Sequence, residues 1–341
     1  MKRTLAIDFG ADEIRVATPE CGITAKEPSC IVYDATTGNA KHFGKQAMAI
    51  ARQNPSENKI RFPFRGNWIL EDMALYSTDI LSHFLESLHA GEKSTRLLLS
   101  IPCGLSDEEE YATAEIGHSA GFSEVHLVYS PIAALVGGGH SLEKSYFAVN
   151  VGVDITDIAI VADSNLVYHA SARVGGQSFT DAIREYVWKK WHLKTTSAEA
   201  ERIKREIGTV WSEEEQKMLE FVGTDAQSSV HRRLLSSEEM FSALEEPCAE
   251  LLDAIYTAAT KVPLESVEEL MKTGIFLYGG GSLLRGVPQM IAGITGFPAS
   301  LAEDPKDAVI KGLAKILPTL PDKLLYPNVS LIACKTNSYL D

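Results

Sequence analysis

The sequence predicts an α/β protein made of two duplicated halves, each a sheet covered by helices. Three observations carry this: an internal repeat, strand and helix signals that alternate after each copy of it, and two inserts that interrupt the alternation. Residues 5–17 (LAIDFGADEIRVA) set over 147–159 (FAVNVGVDITDIA) align Ala6 with Ala148, Gly10 with Gly152, Asp12 with Asp154 and Ala17 with Ala159. In both copies an apolar run enters a turn at a glycine and leaves in alternating apolar residues, Ile14 and Val16 or Ile158 and Ile160. That period is a β-hairpin's, so both halves are expected to open on the same one.

The elements follow in order. After the first hairpin, TDILSHFLESL (78–88) has apolar residues at helical spacing, RLLLSIP reads as a buried strand, and Ser106-Asp107-Glu108-Glu109 opens a helix as a capping box. VHLVY is then a strand and SPIAALVGGG a short helix ending in glycine. The second half has a helix from Ser178 to about Trp191, an amphipathic helix at AEAERIKREIG and one long helix over SEEMFSALEEPCAELLDAIYTAATKV. It closes with the strand GIFLYGGG, a helix after Arg285 and the helix AVIKGLAKIL.

Residues 28–64, broken by Pro55 and Pro63, read as a small strand-rich insert, and 187–250 as a helical, highly charged one. The expected division is therefore a first core over 1–27 and 65–145, a second over 146–186 and 251–316, these two inserts, and an extension from 317 to 341. Two such cores with an insert in each are expected to leave a deep cleft between the hairpins.

Composition narrows the function classes. A chain of 341 residues with 45% hydrophobic and 23% charged residues is an ordinary globular protein, long enough for two domains. A net charge of −14 repels phosphate backbones, so nucleic acid is not an expected partner. The five scattered cysteines have no CxxC spacing, which argues against a disulfide framework or a structural zinc site and fits a reducing cytoplasm. The apolar start before Asp8 is too short for a signal peptide core, and nothing approaches a membrane-spanning run.

The chemistry-bearing pattern is an acidic residue followed by a glycine turn. Such a turn presents backbone N–H groups to phosphate oxygens, while the carboxylate can hold a metal through water. Asp8-Phe9-Gly10, its repeat at Gly152, and Gly279-Gly280-Gly281 at a strand end before a helix together read as a nucleotide site. The bland alternative is three ordinary tight turns.

At these residues the sequence resembles the actin superfamily and, within it, the MreB proteins. The likeness runs over about residues 4–316 and includes EPSCIVY, FGKQAMAIARQNPSENKIRFPFRG, IPCGLSDEEEYA, AGFSEVHLV with SPIAAL, ARVGGQSFTDAIREYVWKKWHL, AERIKREIG, SSEEMFSALEEP and GIFLYGGGSLLRGVPQMI with AEDPKDAVIKGLAKIL. The resemblance implies an actin-like, ribonuclease H-like duplicated fold of two lobes and four subdomains around a nucleotide cleft. It also implies ATP or ADP with Mg2+ as cofactors and a homopolymer serving cell shape or intracellular organisation.

Carried over residue by residue, Asp8 and Gly10 match the first phosphate loop, and the metal position of the second is Asn150, beside Asp8 as the other metal-linked residue. Gly152, Thr156 and Asp157 match the second loop, and Gly279, Gly280 and Gly281 the nucleotide-facing turn. Glu201 and Lys204 match residues around adenine and ribose, and Glu109 the glutamate that positions attacking water. Small polar positions of the family are here Ala11, Asp12 and Glu13, and Val153 and Asp154 replace two glycines. A carboxylate ~5 Å from a phosphate charge costs on the order of 3 kcal/mol at an effective dielectric near ~20, over about a hundredfold in affinity. Arg15 can offset one such charge, or its strand parity can point it to solvent. Weakened or lost hydrolysis with some nucleotide binding is the resulting expectation; Glu109 also has a reading with no chemistry in it, as the last residue of the capping box.

Other signals are weighed down. Gly117-His118-Ser119-Ala120-Gly121 matches GxSxG, but a helix precedes it and a strand follows, the reverse of a nucleophile elbow. His42, His118, His140 and His231 lack ligand spacing. The chain begins almost on its first strand and HAGEKSTR has no large apolar residue to insert, so direct membrane binding is not expected; a recruiting protein partner would supply any membrane association. Phe62, Phe64 and Trp68 read as core packing. LLYPNVSLIAC reads as an edge strand, a docking peptide or part of a disordered tail. The rival function is a monomeric ATP-dependent chaperone or regulator; a chaperone needs a substrate domain after residue 316, where about 25 residues remain.

Overall fold

A computed structural model describes residues 3–34, 36–53, 58–62, 71–87, 95–162, 165–320 and 332–334. The chain forms two units, Met1–Leu142 with Asp307–Asp341, and Glu143–Lys306.

In the first unit, β1 (Arg3–Phe9) and β2 (Glu13–Thr18) make the expected hairpin, antiparallel with Phe9 opposite Ile14 and Asp8 opposite Arg15. β3 (Gly22–Pro28) pairs antiparallel with β2. The insert follows as β4 (Ile31–Asp34), β5 (Ala40–Phe43), α1 (Gly44–Gln53) and β6 (Asn58–Arg61), a three-stranded sheet in the order β5-β4-β6. Cys30, Val32 and Ala47 are its small core, with Phe62 packed against them; Phe64 and Trp68 lie outside the described residues.

After α2 (Glu71–Ser87), β7 (Thr95–Ile101) runs parallel to β1. Leu97, Leu98 and Leu99 are all buried, the mark of a strand covered on both faces. α3 (Asp107–Ser119) starts on the capping box, with the Ser106 side chain on the Glu109 amide and the Glu109 side chain on the Ser106 amide. Gly117 to Gly121 is the end of this helix, and the strand that follows, β8 (Glu124–Tyr129), is parallel to β7; no nucleophile elbow forms. α4 (Ser130–Gly137) has Pro131 in its first turn, where the missing N–H costs no hydrogen bond.

The second unit opens on β9 (Tyr146–Val151) and β10 (Thr156–Ala162), antiparallel with Val151 opposite Thr156. β11 (Asn165–Ala172) continues the meander, so the duplication extends to a third strand in both halves. α5 (Gly176–Trp191) and α6 (Ser197–Ile207) follow. The expectation of a helical insert over 187–250 is corrected here: β12 (Met218–Thr224) and β13 (Val230–Ser236) form an antiparallel hairpin within it. Phe221 and Leu235 are buried on its inner face. Met218, Val222, Val230 and Leu234 stand exposed on the other, and apolar residues on both faces hide the period of two that marks a strand.

The single helix expected over 237–262 is also corrected. It is two, α7 (Ser237–Ala243) and α8 (Glu245–Ala259), broken at Leu244. Pro247 has no N–H to donate and is tolerated only in a first turn, so a new helix must begin just before it. The unit ends with α9 (Val267–Thr273), β14 (Ile275–Tyr278), α10 (Val287–Thr295) and β15 (Ala299–Leu301). Its sheet has the order β11-β10-β9-β14-β15, with β14 parallel to both neighbours.

The chain returns to the first unit at Asp307 with α11 (Ala308–Ile316). A Cβ on Gly312 would lie 1.7 Å from the Ala133 carbonyl oxygen, so α11 and α4 pack backbone to backbone. Lys315 Nζ donates to the last carbonyls of α4, Val136 at 3.0 Å and Gly137 at 2.9 Å, where a cation suits the helix end. β16 (Ile332–Cys334) pairs antiparallel with β8 and completes a six-stranded sheet, β16-β8-β7-β1-β2-β3. Of the segment LLYPNVSLIAC only Ile332–Cys334 lie within the described residues, and these form an edge strand on the chain's own sheet; the rest lies outside the described residues. Among the described residues no helix is long and apolar enough to cross a membrane.

Candidate functional site

The first unit contributes Asp8, Gly10, Ala11, Arg15 and Glu109. Asp8 is the next-to-last residue of β1, 8% exposed, and its Oδ1 accepts the Ser100 hydroxyl from β7 at 2.7 Å. Arg15 lies opposite it in the hairpin and is equally buried. Its Nη1 is 3.9 Å from Asp8 Oδ2, its Nη2 2.6 Å from Glu13 Oε2, and its Nε donates to Asp307 Oδ1 at 3.0 Å. Of the two readings left open for Arg15, the charge-offsetting one holds, because its guanidinium is enclosed by three carboxylates. Lys26 Nζ closes the cluster on Asp307 Oδ2 at 2.5 Å.

Burial pushes the Asp8 carboxyl up, against the pull of Arg15 and the Ser100 hydrogen bond. Burial also pushes Asp307 up, but hydrogen bonds from Lys26 and Arg15 outweigh it and hold Asp307 below the usual carboxylate range. Gly10 makes the turn tight: a Cβ there would be 2.6 Å from the Glu13 carbonyl oxygen. Ala11 is half-buried against the core of this unit. Glu109 Oε2 accepts the Ser106 amide at 2.8 Å, so its carboxylate serves the helix cap. Its neighbour Glu110 is buried and accepts the Tyr129 hydroxyl at 2.7 Å.

In the second unit the structure gathers what the sequence scattered. The loop at Gly152 to Asp154 sits on the first turn of α5: the Gly176 amide donates to the Gly152 carbonyl at 2.9 Å and the Gln177 amide to the Val153 carbonyl at 2.7 Å. Lys204 reaches the same turn, donating to the Gly176 carbonyl at 2.7 Å and the Thr180 hydroxyl at 2.9 Å. It also pairs with Glu201 Oε2 at 2.6 Å. Glu201 also accepts Arg205 Nε at 2.7 Å and the Thr180 hydroxyl at 2.9 Å, so Glu201 and Lys204 are engaged by each other, by Arg205 and by α5.

The glycine turn comes to the same loop from β14. A Cβ on Gly279, where φ is +85°, would fall 2.1 Å from Asn150 Oδ1, and one on Gly281 would fall 2.6 Å from Val151 Cγ1. Gly280 is exposed, its nearest neighbour being Lys306 Cε at 3.6 Å from an added Cβ. Asp154 is half-buried at the loop's end. Thr156 is fully buried and donates to the Val174 carbonyl at 2.7 Å, so it props the loop from beneath. Asp157, one residue on, is also buried and accepts the Ser171 hydroxyl. Burial raises its pKa to about 6, against the Ser171 bond.

Asp8 already faces a guanidinium, and among the described residues no three His, Cys, Asp or Glu side chains are grouped to hold an ion, so no cation site is built there from protein side chains alone. His118 and His231 are occupied structurally, by the Phe122 carbonyl and Asp225 respectively.

A family model described as MreB/Mbl protein matches residues 2–323. The chain belongs to the MreB/Mbl family. The cell shape-determining protein MreB of Escherichia coli (strain K12) is 30% identical over 323 residues, 92% of either chain. Mbl of Bacillus subtilis (strain 168) is 26% identical over 327 residues, 94% of this chain and 97% of its own. Among solved structures, MreB5 of Spiroplasma citri bound to ADP superposes with a TM-score of 0.86 at 23% identity, over 94% of this chain and 97% of its own. The MamK double helical filament gives 0.77 at 16% identity, over 93% and 98%. The fold is therefore actin-like, as the sequence resemblance implied.

Within this MreB/Mbl member, sequence reasoning missed Ser100, Thr180, Gly176 and Asp307. Ser100 carried a signal, a polar residue closing the apolar run RLLLS. Asp307 looks like a helix cap, yet makes no side-chain cap bond at the start of α11 and turns its carboxylate to Arg15 and Lys26.

Proposed function

We propose that this chain is a nucleotide-binding actin homologue that assembles into filaments, in the manner of an MreB-type scaffold for cell shape or intracellular organisation, with ATP hydrolysis weak or lost. The observation that carries the reading is the convergence in the second unit of the Gly152 loop, the first turn of α5 with Glu201 and Lys204, and the Gly279–Gly281 turn, all against one backbone segment. Family membership supports it, as do the relatives solved with ADP, with AMPPNP and as a double helical filament.

Two features favour weak hydrolysis. The Glu109 carboxylate is engaged by its own helix cap, and Asp12 and Asp154 add negative charge to loops that receive phosphate in this reading, while the charge of Glu13 is answered by Arg15. The chain would work in the cytoplasm, with a protein partner for any recruitment to membrane.

Sedimentation with negative-stain imaging, with and without ATP, tests this. Filaments in both conditions support the scaffold with weak nucleotide dependence. Filaments only with ATP overturn the argument from the acidic loops, and no polymer in either condition favours a monomeric regulator.

A further inference from the structure

Arg15 occupies a position that a structural ion pair alone does not require. Its Nη1 lies 3.9 Å from Asp8 Oδ2 and 3.7 Å from where a Cβ on Gly10 would be, so the guanidinium reaches the turn of the first phosphate loop. It is held there from two other sides, by Glu13 Oε2 and by Asp307 Oδ1. The bonds to Asp307, to Glu13 Oε2 and to the Glu13 carbonyl use three of the five N–H groups of a guanidinium. One N–H on each terminal nitrogen is left over, and guanidinium N–H groups are suited to phosphate oxygens.

A divalent cation brought to this loop would meet Asp8 and its partners. Asp8 shares its charge with Arg15 and gives its other oxygen to Ser100. A cation brought to Asp8 is repelled by a guanidinium that cannot lose its proton.

We propose that Arg15 is the fixed counter-ion of the first phosphate loop, so that this chain binds its nucleotide without needing a divalent cation. The inference rests on the nucleotide-binding reading above and concerns which form of the ligand is bound.

The test is ADP binding to the full chain by calorimetry, in excess magnesium and in excess EDTA. The wild type is expected to change affinity by less than about threefold between the two conditions. Arg15→Gln is expected to lose at least about tenfold in EDTA and to recover part of that with magnesium, with Arg15→Lys in between. A wild type that needs magnesium, or an Arg15→Gln that binds ADP in EDTA as the wild type does, overturns the proposal. No ADP binding in either condition sinks the nucleotide reading itself and this inference with it. Circular dichroism melts accompany each variant; if Arg15→Gln does not fold, the wild-type comparison and Arg15→Lys decide the outcome.

Discussion

Arg15 Nε donates to Asp307 Oδ1 at 3.0 Å across 292 positions of sequence, tying the first hairpin to the residue at which the chain returns to the first unit. Asp307 is held below the usual carboxylate range, so its contribution is present at neutral pH and is lost as pH falls below about 4. Asp307→Asn is expected to destabilise by about 1–2 kcal/mol at pH 7, with the gap from wild type closing under acid. Urea unfolding at pH 7, 5 and 3 checks this; a gap that stays constant over that range would falsify the linkage.

Asp157 has the opposite sign. Its pKa is raised to about 6, so its folded form prefers the proton, and the stability this confers is complete below about 4 and lost as pH rises through 6. Asp157→Asn keeps an acceptor for Ser171 and removes the buried charge. It should stabilise the protein at pH 7.5 by up to about 3 kcal/mol, with no difference near pH 4. Melting curves across that range decide the matter, and a destabilised variant at pH 7.5 would count against it.

The acidic second loop makes a prediction about ligand. Asp154→Gly removes a carboxylate beside the Gly152 turn and should tighten ADP binding by about tenfold or more. Equal or weaker binding than wild type would show that the charge lies too far from phosphate to matter.

Two glycines in helices separate close approach from propensity. Gly312→Ala places a Cβ 1.7 Å from the Ala133 carbonyl oxygen and should cost about 3 kcal/mol or more, since backbone must move. Gly293→Ala in α10 meets only Trp211 ring carbons at 3.8 Å and should stabilise by about 0.5–1 kcal/mol. Thermal melts that rank the two in the reverse order would contradict the packing described for α4 and α11.

The duplicated hairpins, the capping box at Ser106 and the helices at α5 and α6 were legible because each depends on residues within a few positions of one another. The β12–β13 hairpin was not, since Met218, Val222, Val230 and Leu234 put apolar side chains on its outer face as well and erased the alternation. The break between α7 and α8 is encoded in Pro247, which lacks the N–H that a continuous helix needs there. At the candidate site the glycine turns and the capping role of Glu109 were readable, whereas the use to which Thr156 is put was not. The Thr156 hydroxyl is spent on the Val174 carbonyl, 18 positions away, an outcome set by burial.

What the sequence by itself determined is therefore local: the twin turns at Gly10 and Gly152, the Gly279–Gly281 turn, and the starts and stops of most helices. What only the tertiary structure decided is which charges answer one another. Arg15, Asp8, Glu13 and Asp307 act as one group because folding brings each carboxylate within 4 Å of the buried guanidinium, and Coulomb energy depends on distance and surroundings in space, to which separation along the chain gives no guide.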